Sequence, residues 1–257
     1  MASPSKPPLR GARLPQLTAR RLTLGGLRLY EIEGALYPSV TSVLSVIARP
    51  NLVAWARRTV LESLRQALDG RESIERGELL SLLERAEREP ERLRDEAAQR
   101  GQGVHGAIAL ALQGEPYPPD REPYVAQALA CLASRGLQVV GSEAVLVSRR
   151  HGFAGTCDVA SLGEGGLVLL DWKTGGLYPE HALQLGAYAI ALQEMTGEEV
   201  REALLVALRE DGYQARPVEL PLAREGFLGA LALFRALRGE LLGPRRGGFE
   251  GLGGEGG

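Results

Sequence analysis

Cysteine, lysine and long apolar runs are what this chain has least of. Its 257 residues include two cysteines, Cys131 and Cys157, which excludes a disulfide framework and a four-cysteine iron–sulfur cluster. No apolar run approaches the ~20 residues needed to span a bilayer, so the expectation is a cytoplasmic protein with no membrane partner. No repeat with a period of 20–50 residues is visible either. An excess of one charge is also lacking. A net charge of −2 and a pI near 6.0 do not announce nucleic acid, but a carboxylate-rich site would offset basic residues elsewhere. Lysine is almost missing: of 30 basic residues only Lys6 and Lys173 are lysine, leaving 28 arginines. Arginine is a planar fork that stays protonated, whereas lysine is a compact charge whose pKa its surroundings can move. That difference matters for orienting or deprotonating a water molecule and hardly matters on a solvated surface.

The stretch around Lys173 is the most informative in the chain. Leu167 to Leu170 is a short apolar run with turn residues on both sides, which reads as a buried strand, and it ends in Asp171-Trp172-Lys173. Strand side chains alternate faces, so Asp171 and Lys173 project to the same side. Upstream, Glu143 to Arg149 alternates, His151-Gly152 makes a turn, and Phe153 to Ala160 returns as a partner strand carrying Asp158. For His151, in that turn, a DNA contact and no role at all both stay open. Cys157 is expected on the opposite face from Asp158, as a small apolar residue. Three consecutive strands would bring Glu143, Asp158, Asp171 and Lys173 together. Carboxylates that converge on one point repel each other unless a divalent cation lies between them, and oxygen ligands favour Mg2+ or Mn2+ over zinc. Such an ion polarises a phosphoryl oxygen and acidifies water, the chemistry of phosphodiester hydrolysis. For Glu143 an ordinary exposed strand-start carboxylate stands equally open. On the following helix His181, Gln184 and Tyr188 share one face.

The pattern G-x-x-D (Gly155 to Asp158), D-x-K (Asp171 to Lys173) and Q-x-x-x-Y (Gln184 to Tyr188) resembles the PD-(D/E)XK nuclease superfamily, and within it the RecB-like branch. The resemblance implies a restriction-endonuclease-like α/β core, with a mixed central sheet flanked by helices and an N-terminal helical region. It makes Asp158 and Asp171 metal ligands, with the Trp172 backbone carbonyl as a further ligand. Lys173 would position the attacking water or stabilise developing charge, and Gln184 and Tyr188 would orient the lysine and the DNA. It also makes His105, on a helix upstream of the G-x-x-D strand, a metal ligand, although a lone helical histidine is usually structural. Some RecB-like nucleases carry an iron–sulfur cluster, and with two cysteines this chain would belong to the simpler members.

Further segments fit around this core. Residues 1–21 are rich in Pro and Arg without an acidic residue and read as a mobile basic arm, and residues 243–257 read as a flexible Gly-rich tail. One nuclease domain is expected over 22–242, with its helical region near 50–112 and its catalytic core near 95–220. Residues 22–36 read as a hairpin turning at Gly25-Gly26. In Pro38-Ser39-Val40-Thr41, Ser39 or Thr41 would cap a short helix, whose free N–H groups readily hold a phosphate. The same P-S-V-T resembles a motif of a RecB-like subgroup that includes the mitochondrial genome maintenance exonucleases and phage and bacterial relatives, so Ser39, Thr41, Tyr188 and His181 are the candidate DNA contacts. Asn51 to Leu68 has helical period, Glu72 to Glu89 is charged and helical, and Pro90 is expected to start another helix. Trp55 is assigned to the core in preference to base stacking. Glycines at 101, 103 and 106 suggest a close approach near His105. A helix over Pro123 to Ala133, a strand pair over Val200 to Leu208 and Tyr213 to Leu220, and a covering helix over Leu222 to Leu242 complete the expectation.

The function this implies is Mg2+- or Mn2+-dependent hydrolysis of DNA by an exonuclease that prefers single-stranded ends, in repair, recombination or replication. Proteins of recombination, replication or phage DNA processing are the possible partners. Two alternatives stay open: a structure-specific or restriction-type endonuclease, and a DNA-binding subunit with weak or no cleavage.

Overall fold

The computed structural model describes residues 14–242. The Gly-rich tail and the arm up to residue 13 lie outside the described residues. The chain divides into two compact units, one made of residues 1–47 with 104–257 and one of Ala48–Gly103. In the first unit β1 (Arg20–Leu24), β2 (Leu27–Ile32) and β3 (Ala35–Pro38) form an antiparallel sheet. Gly25 and Gly26 take φ of 56° and 76° between β1 and β2, as a two-residue hairpin turn requires. A second turn of this kind, Glu33 and Gly34 at 52° and 79°, separates β2 from β3. The expected hairpin is therefore a meander. Its approach is also anchored earlier than an arm reaching residue 21 would allow. Leu14 is buried and donates its N–H to the Val140 carbonyl at 2.9 Å, and Arg20 already belongs to β1. The short helix α1 (Val40–Val43) follows.

The second unit holds α2 (Pro50–Leu68) and residues 76–103 of α3 (Arg76–Gln113), whose last turns belong to the first unit. Pro90 does not start a helix; it lies inside α3. Proline removes a backbone donor and normally breaks a helix interior. Here its ring joins Leu82 and Ala86 in a buried stripe at four-residue spacing, and Arg92 bridges Glu89 and Glu96 at 2.5 Å each across the next turns. Trp55 is only half-buried, and no residue of α2 is fully buried, so the assignment of Trp55 to the core is not met.

The main sheet of the first unit runs in the order β4 (Gln138–Ser148), β5 (Phe153–Gly163), β6 (Gly166–Lys173), β7 (Val200–Leu208), β8 (Tyr213–Pro217). The helix α4 (Glu122–Ser134) precedes it, α5 (Pro179–Thr196) connects β6 to β7, and α6 (Leu220–Leu242) closes the chain. All neighbours are antiparallel except β6 and β7, the pair joined through a helix. Alternation along the strands makes two cores. Leu167 and Leu169 lie with Leu185, Leu192, Phe227 and Phe234 of α5 and α6. Val168, Leu170 and Trp172 lie with Val104 and Ile108 of α3 and with Val125 and Leu132 of α4. Each fully buried leucine contributes about 1.5–3 kcal/mol, so an apolar run becomes the central strand of a two-sided layer. This is the expected α/β architecture, a mixed sheet flanked by helices. Among the described residues no helix is long and apolar enough to cross a membrane.

Candidate active site

The site lies where β5 and β6 part. Their ladder runs from Gly163–Gly166 to Val159–Leu170 and ends there, one position short of Asp158 and Asp171. β6 continues against β7 alone through Asp171, Trp172 and Lys173. The Trp172 N–H donates to Asp158 Oδ2 at 2.7 Å, so a carboxylate stands where a ladder carbonyl would otherwise be. Asp158 Oδ1 lies 3.3 Å from His105 Nδ1 on α3. One ligand atom each of His105, Glu143 and Asp158 lies within 4.8 Å of the others. Asp171 stands outside this trio and is held by an ion pair with Lys173 and by Gln184, whose amide donates to Oδ1 at 3.3 Å.

Electrostatics separates the two aspartates. Burial, joined by the negative charge of Asp158, pushes Asp171 up to about 6 against the pull of Lys173. Burial would raise Asp158 as well, but His105 and Lys173 hold it below the usual carboxylate range. Burial disfavours the charged forms of His105 and Lys173, and the facing carboxylates outweigh it, so both are raised. Lys173 thus presents an ammonium to Asp171. Desolvation of its carboxyl, then Asp158, raises Glu143. Glu143 holds its place with φ of 48° inside β4. It is not a strand-start residue, and a non-glycine side chain in the left-handed region is uncommon.

Tyr188 and Gln184 are bonded to each other and joined to Asp171. Tyr188 is 3 % exposed, which leaves it no surface for DNA, and its hydroxyl accepts from Gln184 Nε2 at 2.9 Å. Gln184 thus bonds Asp171, the ion-pair partner of Lys173. The tyrosine ring lies over Gly155, where an added Cβ would stand 2.6 Å from Tyr188 Cε1 and 3.1 Å from Val40 Cγ2. This contact explains the glycine of G-x-x-D: the ring occupies the side-chain space. Gly155→Ala is expected to displace the ring and, through Gln184, Asp171. A misplacement of about 1 Å lowers turnover by on the order of 10^2-fold, with overpacking adding about 1–3 kcal/mol of destabilisation. Single-turnover kinetics beside urea melts of the variant checks it; unchanged kinetics in a destabilised protein would deny the tyrosine its positioning role.

The remaining candidates are placed as follows. Ser39 is 2 % exposed and caps α1, its Oγ accepting from the Ser42 N–H at 3.0 Å and bonding the Thr41 and Ser42 hydroxyls at 3.0 Å. That hydroxyl is committed to the cap, while Thr41 is exposed. His181 Nδ1 accepts the Tyr178 N–H at 3.2 Å at the start of α5, with the two rings edge to face. His151 lies in the β4–β5 turn, where its carbonyl accepts from Arg235. Cys157 is fully buried, in the core beneath α5 and α6. The sequence reading gave no role to Thr156, Tyr30 or Arg21. Thr156 stands two residues before Asp158, a spacing that would have signalled a shared strand face.

The family model of the PD-(D/E)XK nuclease superfamily matches residues 59–244. The chain belongs to this superfamily. Among solved structures it is similar to an alkaline exonuclease (LHK-Exo) from Laribacter hongkongensis, with 19% identity over 55% of this chain and 84% of that one and a TM-score of 0.26. It is also similar to LHK-Exo in complex with dAMP, with 17% identity, the same coverages and a TM-score of 0.25. No curated protein matches the chain. As a PD-(D/E)XK nuclease it is a hydrolase of nucleic acid, in a superfamily whose members use divalent metal. The donor set fits such an ion: carboxylates predominate, with one imidazole. Asp171 Oδ2 is a buried oxygen whose contact is the Lys173 ammonium.

Proposed function

We propose that the protein is a Mg2+- or Mn2+-dependent deoxyribonuclease, an exonuclease acting on single-stranded DNA ends. The observation that carries the nuclease reading is the parting of β5 and β6, which brings Asp158, Asp171 and Lys173 together. His105, Asp158 and Asp171, with Glu143 and the Trp172 carbonyl as further donors, would hold a divalent ion that polarises the scissile phosphoryl group and acidifies the attacking water.

The protein's part is to hold groups still. The Trp172 N–H fixes Asp158, and Gln184 fixes Asp171. Lys173 presents its ammonium to the attacking water and to the charge that develops on phosphorus-bound oxygen, a donor already oriented by Asp171. The water oxygen bonds to phosphorus in line, the ester P–O bond opposite it breaks, and the proton lost by water ends on the departing oxygen. The exonuclease reading and the preference for single strands rest on the resemblance of the P-S-V-T, G-x-x-D, D-x-K and Q-x-x-x-Y segments to the RecB-like branch.

End-labelled linear single-stranded DNA should be degraded with Mg2+ or Mn2+ and survive in EDTA, and a circular single strand should survive throughout. Either ion should also raise the melting temperature of the wild type, and Asp158→Asn should lose most of that rise. A cut circle would replace the exonuclease by an endonuclease. A folded protein that binds DNA and never cuts it with either ion would leave the binding-subunit reading.

A further inference from the structure

Two neighbouring arginines on β1 behave differently. Arg20 makes an ordinary surface ion pair with Glu31 at 3.5 Å. Arg21 points to the other side of the strand, where its Nη2 donates to Thr156 Oγ1 at 3.0 Å, across 135 residues of sequence. Thr156 Oγ1 also shares a hydrogen bond of 2.9 Å with the hydroxyl of buried Tyr30. The Arg21 guanidinium lies 5.8 Å from the centre of the Tyr30 ring. Threonine and tyrosine thus brace an arginine whose side is exposed. Among the described residues no carboxylate lies within ion-pair distance of it.

The place matters as much as the bracing. Thr156 precedes Asp158 by two residues on β5, about 7 Å along the strand, and the charge of Arg21 reaches Glu143. Glu143, Asp158 and Asp171 turn three carboxylates toward a polyanion, with His105 and Lys173 already paired to the two aspartates. A guanidinium has five N–H donors in a fork that matches phosphate oxygens, and the hydrogen bond to Thr156 uses only one of them. Arg21 is thus tied to a strand position about 7 Å from the proposed metal ligand Asp158.

We propose that Arg21, braced by Thr156 and Tyr30, grips the backbone phosphate next to the one being cut. The proposal rests on the nuclease reading above and adds to it a subsite for the phosphodiester backbone. The contact carries no base information, so it acts alike on every sequence.

The test is steady-state cleavage of a labelled single-stranded oligonucleotide by the full chain, over a range of salt, for wild type, Arg21→Ala, Arg21→Lys and Thr156→Val. Arg21→Ala should raise KM on the order of 10-fold, with a smaller change in kcat. It should also flatten the dependence of log(kcat/KM) on log[salt] by about 0.7, the share of one phosphate contact on a single strand. Arg21→Lys should restore the salt slope while recovering only part of KM, and Thr156→Val should raise KM with the slope retained. If the wild type cuts and Arg21→Ala matches its KM and slope, the subsite is wrong and the nuclease reading stands. A lower melting temperature with an unchanged slope also overturns it, because Arg21 would then only fasten β1. If the wild type neither binds nor cuts, both readings fall.

Discussion

Lys173→Ala is expected to lower metal-dependent cleavage by on the order of 10^2–10^3-fold, the usual loss when one preorganised donor to developing charge is removed. The side chain is the partner of a fully buried aspartate and is itself largely enclosed. Its removal therefore changes charge as well as geometry. Without the ammonium, Asp158 and Asp171 face one another uncompensated on that side, and a divalent ion has more repulsion to relieve. The metal-free variant should melt lower than the wild type, and Mn2+ should raise its melting temperature by more than it raises the wild type's. Rapid-quench cleavage and thermal melts with and without Mn2+ measure both effects on one preparation. Cleavage at the wild-type rate would remove the ammonium from the chemistry, whatever the melts show.

Gly186→Ala is expected to cause the largest loss of stability of any single methyl addition considered. An added Cβ on α5 would stand 2.4 Å from the Ala223 carbonyl carbon and oxygen and 2.7 Å from the Arg224 nitrogen. The obstacle is backbone, which cannot rotate away as a side chain can, so α5 and α6 must separate. Their contact includes Leu185, Leu192, Phe227 and Phe234. Overpacking typically costs about 1–3 kcal/mol, and a clash with main chain belongs at or above the upper end. Gly229 on α6 is the control: nothing stands within 4 Å of its added Cβ and its φ is not positive. Gly229→Ala should stabilise by about 1 kcal/mol through helix propensity alone. Urea melts of the two variants test the pair, and equal shifts would mean that α5 and α6 are not held at this distance in solution. Since α5 also carries Gln184, a partly folded Gly186→Ala protein should lose cleavage as well.

What the sequence by itself determined was local and periodic. The apolar run Leu167 to Leu170 between turn residues settled β6, and period two put Asp171 and Lys173 on one side of it. The scarcity of lysine singled out Lys173. Gly25-Gly26 set the first hairpin turn, and helical spacing put Gln184 and Tyr188 on one face of α5. Alternating strands and helices gave the α/β class, because each element's period states which face it must bury.

Tertiary structure decided what each face meets. Gln184 and Tyr188 share a face in either case, yet only the packing of α5 on β5 turns the ring inward over Gly155 and aims the amide at Asp171. Ser39 reads from the sequence as one of two possible caps of a short helix, and its buried hydroxyl, accepting from the Ser42 N–H, is the one that caps α1. Pro90 reads as a helix start, since its local cost is plain in the sequence and the buried stripe that accompanies it is not. The parting of β5 and β6, which opens the space between Asp158 and Asp171, has no sequence signature, because a ladder ends where two distant strands diverge. Arg21 reads as part of a basic arm for the same reason: nothing in residues 1–21 indicates a hydroxyl 135 residues away. Periodicity fixes the direction of a side chain within its own element, and only the arrangement of elements fixes its partner.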